Sequence, residues 1–142
     1  MVKNLHINYS GKTDFNKIII HSIVSYLKNE LNFCINVVTV NFISSKEITF
    51  LNIKYLNHHN STDIITFNYS GNKSELDGEI FISMDDCRNN AVKFGVKFKE
   101  EMIRLVIHGF LHLLGYNDKN KAEKKKMFEL QENLLNSCKF AL

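Results

Sequence analysis

The segment VIHGFLHLLGYND, Val106 to Asp118, places two histidines four positions apart and follows them with a glycine and an aspartate. In an α-helix each residue advances by about 100°, so positions four apart lie about 40° apart on one face. His108 and His112 therefore point the same way, one turn apart, as two imidazoles on a single metal ion must. The segment predicts a metal site carried by a helix.

Apolar residues surround the two histidines on nearly every side of this helix, which predicts that the helix is buried. Polar groups are costly to bury without partners, and a metal ion would be a partner for both imidazoles. Gly115 can adopt a positive φ and end the helix abruptly. A chain that turns there can bring Asp118 beside the histidines as a third ligand. Three protein ligands leave one position open for water, as in catalytic metal sites.

The same residues admit other interpretations. Histidines on an apolar helix are often hydrogen-bonded core residues, and Asp118 is suited to cap the helix that follows. The spacing H-x-x-x-H-x-x-G-x-x-D also matches metal-dependent peptidases of the metzincin type. Those enzymes need a glutamate directly after the first histidine as the general base, and here that position is Gly109. A peptidase is therefore the weaker interpretation.

The composition predicts one domain that spans residues 1–142, with enough apolar content, 44%, for an ordinary core. The chain has no apolar run of the roughly 18–20 residues that cross a bilayer, and its N-terminus lacks the apolar region of a secretory signal. Three widely spaced cysteines without a C-x-x-C pair indicate reduced thiols. We therefore expect a cytoplasmic protein, whose net charge of +3 permits contact with phosphates.

Hydrophobic periodicity predicts the element order β-α-β-α-β-β-α-α-α. The predicted strands lie in the segments LHINY, CINVVTVNFI, TDIITFNYS and GEIFISM. The predicted helices run from about Asp14 to Leu31, from Ser44 or Ser45 to about Leu56, from Ser83 onward, from about Lys99 to Leu114, and from about Lys121 to Ser137. This order predicts an α+β fold with a single mixed β-sheet of about four strands packed with about five helices. The metal site would lie on a central buried helix and the turn after it.

The segment HGFLHLLGY resembles the signature of the YbeY family, metal-dependent endoribonucleases specific for single strands. Two upstream segments are similar to further family motifs: LNIKYLNHHNSTDIITF, residues 51–67, and DGEIFIS, residues 77–83. The resemblance implies an α+β fold and a role in ribosomal RNA maturation, at the 3′ end of 16S rRNA, and in ribosome quality control. It implies single-stranded RNA as the partner, with ribosomal RNA on the small subunit expected, and neither a membrane nor a nucleotide cofactor.

We expect one divalent metal ion as the cofactor, held by His108, His112 and Asp118. Zn²⁺ is the expected ion, with Mn²⁺ and Ni²⁺ as alternatives. The family's third histidine falls on Asp118, which can bind a metal but acidifies bound water less than a third neutral imidazole would. A carboxylate also suits harder ions such as Mn²⁺ better than nitrogen does.

A second departure from the family pattern is Leu56, which stands where an arginine usually follows the tyrosine of the L-N segment. This replacement removes a cation suited to hold a phosphate or to offset charge in the transition state. Lys54, Arg88 and Arg104 are nearby cations that could substitute for it, and the sequence does not choose among them.

The sequence assigns no catalytic acid or base, and three side chains are retained as candidates: His59, Asp63 and Arg88. His59 follows His58 in a loop, where functional residues concentrate, although a solvated turn explains this loop equally well. Asp63 can orient water or a ligand, or can cap the loop. The five lysines within residues 119–126 can steer a polyanion towards the metal, or can form a solvated helix face.

Three functions remain open at this point. The first is a metal-dependent endoribonuclease whose ion polarises a phosphate or activates water. The second is a zincin-like metallopeptidase. The third is a non-catalytic ribosome-assembly factor with a structural metal, which the missing arginine at Leu56 suggests.

Overall fold

Five helices and four strands form the fold that the computed structural model describes for residues 1–11, 16–59 and 62–139. In chain order they are β1 (Leu5–Tyr9), α1 (Lys17–Leu31), β2 (Cys34–Ile43), α2 (Ser45–Leu56), β3 (Ile64–Asn68), β4 (Glu75–Ser83), α3 (Met84–Phe94), α4 (Phe98–Leu113) and α5 (Lys121–Ser137). This order confirms the prediction from periodicity. The predicted helix start at Asp14 lies outside the described residues.

The four strands form one mixed sheet in the order β1-β2-β4-β3. Strands β1, β2 and β4 run parallel, and β3 runs antiparallel to β4. The α+β class with a single mixed sheet is therefore confirmed. Strand β4 begins at Glu75, upstream of its predicted start, because its pairing with β2 continues to Cys34 and Glu75. Strand β3 lies at one edge of the sheet.

Local capping explains most of the helix boundaries. Of the two predicted caps of α2, Ser44 is the one used: its side chain accepts a hydrogen bond from Glu47 N, and the Glu47 side chain reaches back in a capping box. Ser83 caps α3, as predicted. Asn120 caps α5, so the capping role considered for Asp118 belongs to Asn120 instead.

Helix α4 begins without a side-chain cap. Its stability comes instead from packing against the elements around it. It contacts α1, α3, α5, β3 and β4. Its fully buried side chains include Met102, Ile103, Val106, Ile107, Phe110 and Leu111. Helix α2 packs with a separate small cluster of Ile43, Ile48 and Ile65. Because neighbouring residues of a strand point to opposite faces, Ile65 faces this cluster while Ile64 faces α4.

Gly109 lies where α4 packs closely against the sheet. A Cβ atom added there would lie 2.9 and 3.0 Å from two methyl carbons of Ile80 and 3.2 Å from one of Ile64. Those branched side chains belong to the buried sheet and have little freedom to move aside. The absence of the peptidase glutamate therefore has a structural cause, since a side chain at this position would collide with the core.

We predict that Gly109→Glu lowers the free energy of unfolding by about 3–5 kcal/mol, because the variant forces an unpaired carboxylate into the core. Gly109→Ala should cost less, since about 1–3 kcal/mol of overpacking is offset by about 1 kcal/mol of helix propensity. Urea unfolding of the two variants beside the wild type measures both effects. A Gly109→Glu protein as stable as the wild type would contradict this account of the packing.

Candidate metal centre

The two histidines of α4 stand side by side with their Nε2 atoms 3.0 Å apart. Their rings are perpendicular, at 81°, with centroids 4.6 Å apart. Both side chains are half-buried, whereas Asp118 is exposed. One ligand atom from each of His108, His112 and Asp118 lies within 4.8 Å of the others. The structure thus brings together the three predicted ligands, which form a group that could hold a metal.

The hydrogen bonds of the two rings fix the position of their protons. Nδ1 of His112 lies 3.1 Å from the carbonyl oxygen of Tyr116, which can only accept, so this nitrogen carries the proton and donates. Nδ1 of His108 lies 2.6 Å from Oε1 of Gln131, also an acceptor. In the neutral rings both Nε2 atoms are therefore acceptors.

Two acceptors that face each other at 3.0 Å cannot satisfy one another, and a shared cation resolves the conflict. Nitrogen ligands at about 2.0–2.1 Å from a tetrahedral ion lie about 3.3 Å apart, close to the separation seen here. The donor set of two imidazoles and one carboxylate is also one that zinc accepts. The residues therefore fit a divalent metal ion.

The turn after α4 is a Schellman motif centred on Gly115. The Tyr116 N–H donates to the carbonyl of Leu111 and the Gly115 N–H donates to that of His112, both at 3.0 Å. Gly115 has φ +98°, a conformation that is costly for residues with a side chain. The motif turns the chain back on the helix. The Tyr116 carbonyl then reaches the ring of His112, and Asp118 lies beside the two histidines.

Burial lowers the pKa of His112, and the neighbouring His108 lowers it further, while Asp118 and the Tyr116 carbonyl act in the opposite direction. Burial and the neighbouring His108 disfavour the charged ring, whereas the Asp118 carboxylate and the hydrogen bond to the Tyr116 carbonyl stabilise it. The neutral form of His112, which a metal requires, is therefore favoured.

A cleft runs beside the edge strand β3 and has a volume of about 380 Å³. Its lining consists of Asn52, Leu56, His58, Thr62, Ile64, Ile65 and Thr66. His58 lines this cleft, whereas His59, the candidate from the sequence, is an exposed loop residue outside the lining. Leu56, at the position of the family arginine, is 42% exposed and contributes an apolar wall.

Asp63 and Arg88, the other two candidates, both have structural partners. The Asp63 carboxylate accepts a hydrogen bond from Asn90 Nδ2 at 3.1 Å, and its carbonyl accepts one from Ser83 N at 2.9 Å. Arg88 lies 3.8 Å from Asp85, and its guanidinium stacks over the ring of Phe98, 5.3 Å from the centroid. Phe98 begins α4, about 15 Å along the helix from His108 at 1.5 Å per residue. The structure does not bring Arg88 to the histidines.

The other cations considered as substitutes for the family arginine are also committed to partners. Arg104 pairs with Glu101 at 2.6 Å and with Glu132 at 3.0 Å. Burial alone would lower the pKa of Arg104, but these two carboxylates raise it above its ordinary value. Lys54 lies over the ring of Tyr55, 5.2 Å from the centroid. None of Lys54, Arg88 and Arg104 is seen in the lining of the described cleft.

Two lysines flank the turn that carries Asp118. Lys73, from the β3–β4 connection, packs on Gly115: a Cβ added to the glycine would lie 2.8 Å from Lys73 Cε. Lys73 and Lys126 line a second depression of about 370 Å³, together with Leu114, Gly115, Tyr116, Asn117 and Glu123. Lys126 therefore places one member of the predicted lysine cluster beside the turn after α4.

Gln131 is the residue at the site that sequence reasoning missed. It is 6% exposed and accepts from His108. The signal was present, since the buried positions of α5 include Met127, Gln131, Leu134 and Leu135, at helical spacing. An amide within such an apolar stripe needs a buried polar partner.

The fold and the site define a class of protein, the α+β proteins in which a buried helix and the turn after it bring together two histidines and a carboxylate that could hold one metal ion. A family model described as Endoribonuclease YbeY matches residues 3–139. Endoribonuclease YbeY of Acholeplasma laidlawii is 34% identical over 138 residues, 97% of each chain. The relative of the same name from Bacteroides thetaiotaomicron is 44% identical over 94 residues, 66% of this chain and 68% of its own. This chain belongs to the YbeY endoribonuclease family.

The fold is also similar to a solved structure, the solution structure of TM1509 from Thermotoga maritima. The two chains superpose with a TM-score of 0.67 and 27% sequence identity, over 94% of this chain and 88% of the other. Among the described residues, no helix is long and apolar enough to span a membrane.

We predict that protein purified without chelators or a histidine tag contains about one equivalent of divalent metal, as three ligands on a single ion require. His112→Ala and Asp118→Ala should each lose most of it, whereas His6→Ala, which removes an exposed histidine of β1, should retain it. Elemental analysis of the four proteins measures this. Metal retained by Asp118→Ala would show that the third ligand lies elsewhere.

Proposed function

We propose that the protein is a metal-dependent endoribonuclease that cuts single-stranded RNA at the centre formed by His108, His112 and Asp118. The observation that supports it most directly is the pair of facing Nε2 atoms, which a divalent metal ion would bridge, in a chain of an endoribonuclease family. We also propose that residues 1–142 form one domain and that the protein is cytoplasmic.

The three proposed ligands determine the net charge of the metal site and its access to solvent. Two neutral imidazoles and one carboxylate leave a divalent ion with a net positive charge, which favours the approach of an anionic phosphodiester. The exposure of Asp118 leaves one side of the group accessible to solvent. The chemistry that a divalent ion supplies when bound there is polarisation of a phosphate oxygen or activation of water. We propose Zn²⁺, with Mn²⁺ and Ni²⁺ as alternatives that the carboxylate also permits.

We propose that the cleft beside β3 and the two lysines, Lys73 and Lys126, contact the RNA. His58, Asn52 and Thr62 line the cleft with groups that can hydrogen-bond to bases, riboses or phosphates. Lys73 and Lys126 line the depression at the turn after α4 and supply positive charge that attracts a polyanion. His58 thus replaces His59 as the loop histidine that we expect to contact the substrate.

The peptidase alternative is not favoured, since Gly109 packs against Ile80 and leaves no room for the glutamate that such enzymes use as a base. The second alternative, a non-catalytic assembly factor, would bind the same metal ion. It differs from the enzyme in one prediction, that removing the metal unfolds the protein.

For the biological substrate we propose ribosomal RNA on the small subunit. The processes would be maturation of the 16S 3′ end and ribosome quality control.

We predict that zinc-loaded protein cuts single-stranded RNA and that His112→Ala and chelator each reduce the rate to background, because the electrophile is lost. The same sequence as duplex RNA and as single-stranded DNA should be cut poorly. Gel analysis of end-labelled oligonucleotides measures the rates, and a single 2′-deoxy substitution at the cut site tests whether the 2′-hydroxyl attacks.

His6→Ala, far along the chain from the metal group, serves as the matched control and should cut at the wild-type rate. Thermal unfolding with and without chelator separates the alternatives. A metal-loaded wild type that cuts no single-stranded RNA above the His112→Ala background, but unfolds without its metal, would favour the assembly factor over the enzyme.

A further inference from the structure

A chain of hydrogen-bonded polar side chains runs from the metal centre through the interior to the loop before β3. It begins at His108 and continues through α5, α4 and α3. Its members, in order from the metal ligand, are Gln131, Glu132, Arg104, Glu101, Asn90 and Asp63. All of these side chains are buried or half-buried. Polar groups in such positions are stable only when their partners are correctly placed.

The first link fixes the orientation of the Gln131 amide. Its Nε2 donates to Oε2 of Glu132 at 3.2 Å, and a carboxylate can only accept. The opposite end, Oε1, must then face the ring of His108, where it lies 2.6 Å from Nδ1. An amide oxygen can only accept, so the proton of His108 is held on Nδ1 and its Nε2 is left free.

The second link holds Glu132 in place. Arg104 donates from Nε to Oε2 at 3.0 Å and from Nη2 to Oε1 at 3.2 Å, a two-bond contact that fixes the plane of the carboxylate. The third nitrogen of Arg104, Nη1, donates to Glu101 Oε1 at 2.6 Å. Glu101 is 2% exposed, and a carboxylate buried to that degree needs a charged partner. Arg104 therefore joins Glu101 and Glu132, and its Nη2 also lies 3.5 Å from Oε2 of Glu100.

The last link leads to the cleft. Asn90 donates from Nδ2 to Glu101 at 3.3 Å and to Asp63 at 3.1 Å. Asp63 follows Thr62, which lines the cleft beside β3. The network therefore connects a proposed metal ligand with Asp63, the residue next to Thr62 of the cleft lining.

We propose that Gln131 is a positioning residue for His108, and that the Glu132–Arg104–Glu101 array holds its amide in the orientation that presents Nε2 of His108 to the metal. The inference rests on the metal centre of the proposed function and extends it to residues outside the ligand set. Groups that hydrogen-bond to metal-bound histidines typically change metal affinity by 10–100-fold when they are removed. The negative charge behind the Gln131 amide also makes its oxygen a better acceptor.

The test uses Gln131→Met, which keeps the length of the side chain and removes the acceptor, and Gln131→Glu, which keeps an acceptor at the same place. We expect Gln131→Met to bind Zn²⁺ about 10–100-fold more weakly than the wild type, and Gln131→Glu, which keeps an acceptor for His108, to bind more tightly than Gln131→Met. Competition with a chromophoric chelator measures the affinities. Asn133→Met, at an exposed position of the same helix, is the matched control and should leave the affinity unchanged.

A second measurement reports on the ring itself and needs neither metal nor activity. Long-range ¹H–¹⁵N NMR spectra of the metal-free proteins show which ring nitrogen carries the proton. His108 should be protonated at Nδ1 in the wild type and in Gln131→Glu, and should lose this preference in Gln131→Met. His112, whose acceptor is a backbone carbonyl, should keep the Nδ1 proton in all three proteins.

An unchanged zinc affinity and an unchanged His108 tautomer in a folded Gln131→Met protein would overturn the inference. If that variant does not fold, Glu132→Met takes its place, because it removes the acceptor that orients the Gln131 amide while leaving Gln131 present. Wild-type affinity and tautomer in that variant would overturn it equally. A wild type that binds zinc through both histidines but cuts no RNA would refute the proposed function and leave this inference standing.

Discussion

The site depends on one arrangement: the Nε2 atoms of His108 and His112 face each other at 3.0 Å, with both ring protons held on the far side. Gln131 holds one of these protons and the Tyr116 carbonyl holds the other. In the neutral rings neither nitrogen can donate to its neighbour, and a cation bound between them would satisfy both. The Schellman turn at Gly115 then has two consequences, since it supplies the acceptor for His112 and brings Asp118 to the same point.

The close packing of α4 on the sheet constrains the chemistry of this centre. Gly109 is adjacent to a metal ligand, and its lack of a side chain lets α4 approach Ile64 and Ile80. The same position carries the catalytic base in zinc peptidases. A helix that lies this close to the sheet has no space for a glutamate base at position 109.

Positive charge around the centre is distributed differently from the family pattern that the sequence resembles. Leu56 stands where an arginine is usual, and Arg104, the nearest cation in α4, is neutralised by Glu101 and Glu132. The exposed charge lies instead on Lys73 and Lys126, beside the metal turn. Binding of a polyanion here would depend on long-range attraction by lysines more than on a fixed guanidinium contact, which makes it sensitive to salt.

The sequence by itself determined the order of the elements, the mixed α+β class and the three candidate ligands, because these follow from periodicity, from capping residues and from the helical spacing of His108 and His112. Tertiary structure alone decided which polar groups meet across elements. It showed that Gln131 of α5 reaches His108, that Arg104 is committed to carboxylates, and that His58 rather than His59 lines the cleft. Local patterns carry information about neighbours within a turn or a strand, whereas contacts such as that between α4 and α5 depend on how whole elements pack.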